Sequence, residues 1–171
     1  MHGTVILSHG LESGPDASKV SAMAAAAEAV GWASLRPDYR DLDQANGLAG
    51  AGARLQRLLD AAAALDGPLV LAGSSFGAFI SGLASLTVPV RGLFLLALPL
   101  QLPGYAPAFD CAVVPTRILH GWDDELIPAT AVIEFSQRRR LDLHLLPDSH
   151  RLADHVAACA AQLAQFLGEL A

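Results

Sequence analysis

Two cysteines in 171 residues leave this chain without the material for a disulfide framework. Cys111 and Cys159 are expected to stay reduced and to serve as small apolar residues. A chain of this length buries about 70% of the surface that its unfolded form would expose, so one domain over residues 1–171 holds together without a disulfide or a metal. Basic residues are scarce as well: 11 Lys and Arg stand against 17 Asp and Glu, for a net charge of −6. The one basic cluster, Arg138-Arg139-Arg140, falls at the end of a predicted helix, where cations complement the helix dipole, and this argues against nucleic acid as a partner. Long hydrophobic runs are missing. The apolar fraction is 53% and the mean hydropathy +0.40, but Gly, Pro and charges cut every stretch. The longest, Gly92 to Leu100, falls well short of the roughly 20 residues needed to cross a bilayer, so no membrane insertion is expected. Residues 1–9 carry no cationic start and run directly into a strand-like segment, which makes a cytoplasmic location the expectation. No set of His, Cys and acidic residues has metal-site spacing, and no cofactor is expected. There is no internal repeat and no linker that would divide the chain, and nothing in the sequence sets the oligomeric state.

What is present is an alternation of short apolar segments with helical patterns. Thr4 to Ser8 reads as a first strand, and a helix from about Ser18 to Val30 ends at Gly31. Ala33 to Pro37 is a second strand. After the loop Asp38-Tyr39-Arg40-Asp41-Leu42-Asp43, a helix from about Leu48 to Leu65 carries Leu48, Leu55, Leu58, Leu59 and Ala62 at helical spacing, and Asp66-Gly67-Pro68 stops it. Pro68 to Ala72 is the third strand, followed by a helix to about Leu86. Gly92 to Leu98 is a fourth, apolar throughout and so covered on both faces. Thr116 to His120 and Leu141 to Leu146 complete six strands, with helices over Ala129 to Arg138 and Leu152 to Leu170. This pattern predicts an α/β fold, with a mostly parallel sheet between two layers of helices and ligand sites at the carboxyl ends of the strands.

The third strand leads into Gly73-Ser74-Ser75-Phe76-Gly77, a G-x-S-x-G segment. Flanking glycines let the backbone fold back tightly and present Ser75 above the sheet edge as a nucleophile. About 0.08 such matches arise by chance from this chain's glycine and serine frequencies, so the surroundings must carry the assignment. They do: Ser75 follows the third strand, Asp124 the fifth and His150 the sixth. Each has a plainer rival reading. Ser75 can be an N-cap at a glycine-rich turn. Asp123 competes with Asp124, although the spacing from His120-Gly121 favours Asp124. His155 competes with His150 but falls within the last predicted helix, whereas His150 sits in a loop. His9, His120 and His144 adjoin or lie within strands and suit local hydrogen bonding.

The order Ser, Asp, His is the one that α/β-hydrolases use, and the chain resembles that superfamily at four places: Ser8-His9-Gly10, Gly73-Ser74-Ser75-Phe76-Gly77, His120-Gly121-Trp122-Asp123-Asp124 with Ile127-Pro128, and Asp148-Ser149-His150. The resemblance implies a minimal, lidless bacterial esterase-like member that starts at a middle strand of the family pattern. It implies a catalytic set of Ser75, Asp124 and His150, with the backbone N–H groups of Leu11 and Phe76 forming the oxyanion hole. Many relatives insert a helical cap before the acid-bearing strand. Here only about sixteen residues, Pro99 to Val114, separate the corresponding segments, too few for a cap. An open site walled by Leu100, Leu102, Tyr105 and Trp122 is the expectation, with core packing an equal alternative for Leu100 and Leu102. If the acids Glu12, Asp123, Glu125 and Asp148 lie near Ser75, they disfavour strongly anionic substrates. The expected partner is a small-molecule acyl substrate, a carboxylic ester or thioester. A silent scaffold with the same fold, an amidase and an acyl transferase are the alternatives.

Overall fold

In the computed structural model, which describes residues 1–171, six strands form one sheet: β1 (Thr4–Ser8), β2 (Ala33–Leu35), β3 (Leu69–Ser74), β4 (Gly92–Leu96), β5 (Thr116–Gly121) and β6 (Asp142–Leu146). Their spatial order is β2-β1-β3-β4-β5-β6, and every neighbouring pair is parallel. Parallel neighbours need crossover connections. Helices α1 (Ser18–Ala29), α2 (Arg40–Asn46), α3 (Ala51–Ala63), α4 (Phe76–Ser85) and α5 (Ala129–Arg139) lie in these crossovers, and α6 (Val156–Leu170) closes the chain. Between β4 and β5 the chain forms only loops and an isolated bridge between Leu102 and Tyr105, with no cap domain.

Successive strand residues point to opposite faces, and this divides the core in two. Ile6, Leu71, Leu93, Leu95 and Ile118 face one way and pack with Leu58 of α3, Phe79 and Ile80 of α4 and Val132 of α5. Val5, Leu7, Val70, Phe94, Leu96 and Leu119 face the other way, against Val20 and Met23 of α1 and Leu163 and Leu167 of α6. Each fully buried Leu, Val or Phe contributes about 1.5–3 kcal/mol of transfer free energy. β3, β4 and β5 are buried along their whole length, while the edge strands β2 and β6 are not. That is why β3 and β4 read as apolar runs, whereas β5 buries Arg117 and His120 among its apolar residues. The expected three-layer α/β architecture is the observed one, and all six strands are parallel.

Some boundaries differ from expectation. β3 runs on to Ser74, because the glycine of the turn still pairs with the neighbouring strands: Gly73 is opposite Ser8 and Leu95. Arg40–Asn46, whose first residues the sequence pattern places in a loop, is α2; none of its residues is fully buried, so it has no apolar period. Its exposed ion pair between Asp41 and Arg57 ties it to α3. The last helix does not begin at Leu152. Leu152 takes a left-handed conformation with φ 51°, a 3₁₀ turn spans Ala153–His155, and His155 is the N-cap of α6. No helix is long and apolar enough to cross a membrane.

Candidate active site

Because every strand runs the same way, the segments after β1, β3, β5 and β6 emerge at one edge of the sheet. Ser75 follows β3 directly, with φ 53° and ψ −116°. A left-handed φ on a non-glycine residue costs on the order of 1–3 kcal/mol and persists only where the surroundings enforce it. Two glycines do so here. A β-carbon at Gly77 would lie 2.0 Å from the Ser8 carbonyl oxygen, and one at Gly73 2.3 Å from the Gly77 oxygen. The turn therefore closes so tightly that backbone meets backbone, and the Ser75 N–H donates to the Leu96 oxygen at 2.8 Å. Ser75 occupies the N-cap position of α4 but makes no side-chain cap bond. Its hydroxyl is turned elsewhere.

That hydroxyl lies 2.9 Å from His150 Nε2, and His150 Nδ1 lies 2.8 Å from Asp124 Oδ2. The tautomer follows from the acid. An ionised carboxylate only accepts, so Nδ1 carries the proton and Nε2 offers its lone pair to the hydroxyl, which donates. Burial pushes the Asp124 carboxyl up. The hydrogen bonds from His150 and from the Ile127 and Leu126 N–H groups outweigh it and hold the acid below the ordinary carboxylate range. Those two N–H groups bind Oδ1 at 2.8 and 2.9 Å and leave Oδ2 for the imidazole. Buried His120 donates from Nε2 to the Ile127 oxygen at 2.8 Å, fixing the same loop from behind.

The rival residues are partnered otherwise. Asp123 is exposed, and its N–H donates to the Asp148 carbonyl. His155 Nδ1 lies 2.8 Å from Asp148 Oδ2, an oxygen that also accepts the Asp154 N–H, while Oδ1 takes the Ser149 N–H. Asp148 thus ties down the loop that carries His150. Burial raises its carboxyl, but the bonds from His155, Ser149 and Asp154 outweigh that and lower it. Glu125 Oε2 accepts the His150 N–H at 3.1 Å and fixes the loop's other side.

The loop after β1 lies against Ser75: a β-carbon at Gly10 would be 3.7 Å from Ser75 Cβ and 3.4 Å from the Ser74 oxygen. The Leu11 N–H makes no hydrogen bond within the chain. Phe76, the first residue of α4, has its N–H among the donors that a helix start leaves free. Of the expected wall residues, Leu102 is 6% exposed and belongs to the core. Leu100 and Tyr105 pack partly buried against that core, Tyr105 edge-on to Phe79 at 6.0 Å. Trp122 is 56% exposed on the acid loop. A cleft of about 480 Å3 opens instead beside the loop after β1, lined by Leu11, Glu12, Ser13, Arg40, Asp43, Gln44 and Gly47. A cleft of about 490 Å3 at the opposite edge, around Arg117 and Arg140, contains none of the candidate site residues, so size does not mark the site. No three His, Cys, Asp or Glu side chains are grouped to hold a metal ion.

The sequence reading missed Arg54 and its partner Asp43. Arg54 of α3 is fully buried and donates from Nε to Asp43 Oδ1 at 2.7 Å and from Nη1 to the His9 oxygen at 2.6 Å. The available signal was its spacing: Arg54 lies on the same helical stripe as Ala51, Leu58 and Ala62.

A parallel sheet with helices on both faces and a serine on a strained strand-to-helix turn defines the α/β-hydrolase class. Comparison with solved structures agrees. A protein from Xanthomonas campestris pv. campestris, described as a hydrolase of the alpha/beta superfamily, superposes with a TM-score of 0.94 at 48% identity, over 98% of this chain and 99% of that one. Est1E from Butyrivibrio proteoclasticus, also solved with ferulic acid bound, matches with a TM-score of 0.74 at 20% identity over 98% and 88% of the two chains. An esterase from Pyrococcus furiosus matches with a TM-score of 0.75 at 15% identity over 98% and 82%. The last two likenesses are of fold. No protein-family model matches the chain, and neither does any curated protein. The chain belongs to the α/β-hydrolase superfamily.

Proposed function

We propose that this protein is a serine hydrolase that cleaves a small carboxylic ester or thioester through an acyl-enzyme on Ser75. The observation that carries this reading is the continuous hydrogen-bonded relay from the Ser75 hydroxyl through the His150 ring to the Asp124 carboxylate, at 2.9 and 2.8 Å. A serine hydroxyl is a weak nucleophile at neutral pH, so it needs a base within hydrogen-bond reach.

In this mechanism Ser75 Oγ bonds to the substrate carbonyl carbon while His150 Nε2 takes the hydroxyl proton. Asp124 stays ionised and stabilises the imidazolium. The carbonyl electron pair moves onto oxygen, where the N–H groups of Leu11 and Phe76 receive it. When the intermediate collapses, the bond to the alcohol or thiol breaks and His150 returns the proton to the leaving group. Water then repeats the sequence on the acyl-enzyme, releasing the carboxylic acid and restoring Ser75.

A fluorophosphonate probe and a short p-nitrophenyl ester test the proposal together. Wild type should label and turn over, and Ser75→Ala should abolish labelling and lower kcat by a factor on the order of 10⁶. Equal turnover by both proteins removes the claim.

A further inference from the structure

A guanidinium with no solvent exposure sits directly behind the loop that follows β1. Arg54 Nη1 donates to the His9 oxygen at 2.6 Å and Nη2 to the Gly10 oxygen at 3.2 Å. Two more of its five N–H groups go to Asp43, one to each carboxylate oxygen. Its carbon lies 4.5 Å from the centre of the Tyr39 ring and 4.2 Å from that of Phe76. His9 adds to the same construction, with Nδ1 2.8 Å from the Gly10 oxygen and Nε2 accepting the Tyr39 N–H at 3.0 Å. That pattern makes His9 neutral, and burial lowers its pKa in keeping with this.

The Gly10 carbonyl and the Leu11 N–H belong to one planar peptide unit, and no peptide in the chain is cis. In a trans peptide the two groups point in opposite directions. Donors from Arg54 and His9 on the Gly10 oxygen therefore turn the Leu11 N–H away from them. The same donors polarise the amide and strengthen its N–H as a donor. Phe76, which carries the second free N–H, lies under the same guanidinium. A buried ion pair adds little net stability over apolar residues of similar volume, so stability alone does not account for an arginine at this position. Asp43 compensates the buried charge and fixes where its fork points.

We propose that Arg54 is a positioning residue for the oxyanion hole, setting the Gly10–Leu11 peptide so that its N–H meets the developing negative charge. This rests on the reading of Ser75 as the acyl-accepting residue. Its consequence for kinetics is specific: the group acts on the transition state and not on substrate binding.

Arg54→Lys keeps the charge but loses the fork. The expected result with a p-nitrophenyl ester is a kcat lower by about 10²–10³, the loss that follows removal of one oxyanion donor, with KM within threefold of wild type. Affinity for a trifluoromethyl ketone, which mimics the tetrahedral state, should fall by the same factor as kcat/KM. Arg117→Lys is the control, because Arg117 is also buried and paired with acids, Asp142 and Glu169, at the far end of the sheet; its kcat should not change. If Arg54→Lys fails to fold, the double variant Arg54→Met with Asp43→Asn removes both charges together and carries the test. Retention of more than a third of wild-type kcat by a folded Arg54 variant overturns the assignment, as does a loss that Arg117→Lys reproduces. Collapse of both Arg54 variants overturns it too, since Arg54 would then serve the fold. A wild-type protein without turnover defeats the hydrolase reading instead, which separates the two failures.

Discussion

Replacing Asp124 by asparagine changes one atom in the relay, and the surrounding bonds determine which atom faces the histidine. Oδ1 accepts two backbone N–H groups, from Leu126 and Ile127, at 2.9 and 2.8 Å. An amide nitrogen cannot take that place, because it would set donor against donor. The asparagine oxygen must stay with the loop, and its NH2 must face His150 Nδ1, which lies 2.8 Å from Oδ2 in the native arrangement. Nδ1 then has to accept, which moves the proton to Nε2 and leaves the Ser75 hydroxyl facing a donor. The base is lost although the geometry survives. A wrong tautomer of this kind costs about 10⁴ in kcat in the serine-protease triad, or about 5.4 kcal/mol in activation free energy. The fold should lose far less. Weakening of the two charge-assisted loop bonds amounts to about 1 kcal/mol each. Initial rates on a short p-nitrophenyl ester, read alongside a melting curve, separate these effects, and Asp123→Asn is the paired control because Asp123 is exposed. A folded Asp124→Asn protein with more than a tenth of wild-type kcat would refute the reasoning. So would an equal loss in Asp123→Asn.

Other outcomes follow from the same geometry. Gly77→Ala places a methyl group 2.0 Å from the Ser8 oxygen and 2.8 Å from the His9 oxygen, so it should cost about 1–3 kcal/mol or more in urea unfolding and lower kcat by displacing the loop that carries Leu11; a variant with wild-type stability and rate would contradict the close approach. Asp148 has a folded pKa below its ordinary value, so its contribution is complete above the unfolded value of about 3.9 and disappears as the pH falls through the lower folded value. Asp148→Asn should therefore destabilise at pH 7, with the gap to wild type closing below about pH 4; a gap independent of pH would argue against the network. Trp122→Ala, at a side chain 56% exposed, should change stability by no more than about 0.5 kcal/mol while raising KM for longer acyl esters, and an unchanged KM removes Trp122 from the substrate's path.

The residues that were legible in the sequence are those whose chemistry and local backbone coincide. Ser75 was readable because the tight turn demands the glycines at 73 and 77, and Asp124 and His150 because each sits in the loop just past a predicted strand, in the order Ser, Asp, His. The unbroken apolar character of Gly92 to Leu98 made the double coverage of β4 legible for the same reason. α2 was not, since none of its residues is fully buried and Leu42 is its only large apolar residue. Arg54 escaped notice because a charge on an amphipathic helix ordinarily marks the solvent side. Only the pairing with Asp43, which lies on α2, shows why that stripe includes a cation. The wall residues between β4 and β5 were the hardest to read. A loop leucine can line a site or plug a core, and for Leu102 its burial in the core cluster, a tertiary contact, decided the matter.

The segment joining β4 to β5 packs onto the core through Leu98, Leu102, Phe109 and Cys111 and carries no cap domain. Nothing in such an arrangement has to swing aside before a substrate enters or a product departs. Turnover would then be timed by bond-making rather than by gating, so a viscous cosolvent should slow it little. An acyl group held on Ser75 would also stand within reach of bulk solvent, where water, as the most abundant acceptor, tips the outcome toward hydrolysis over transfer.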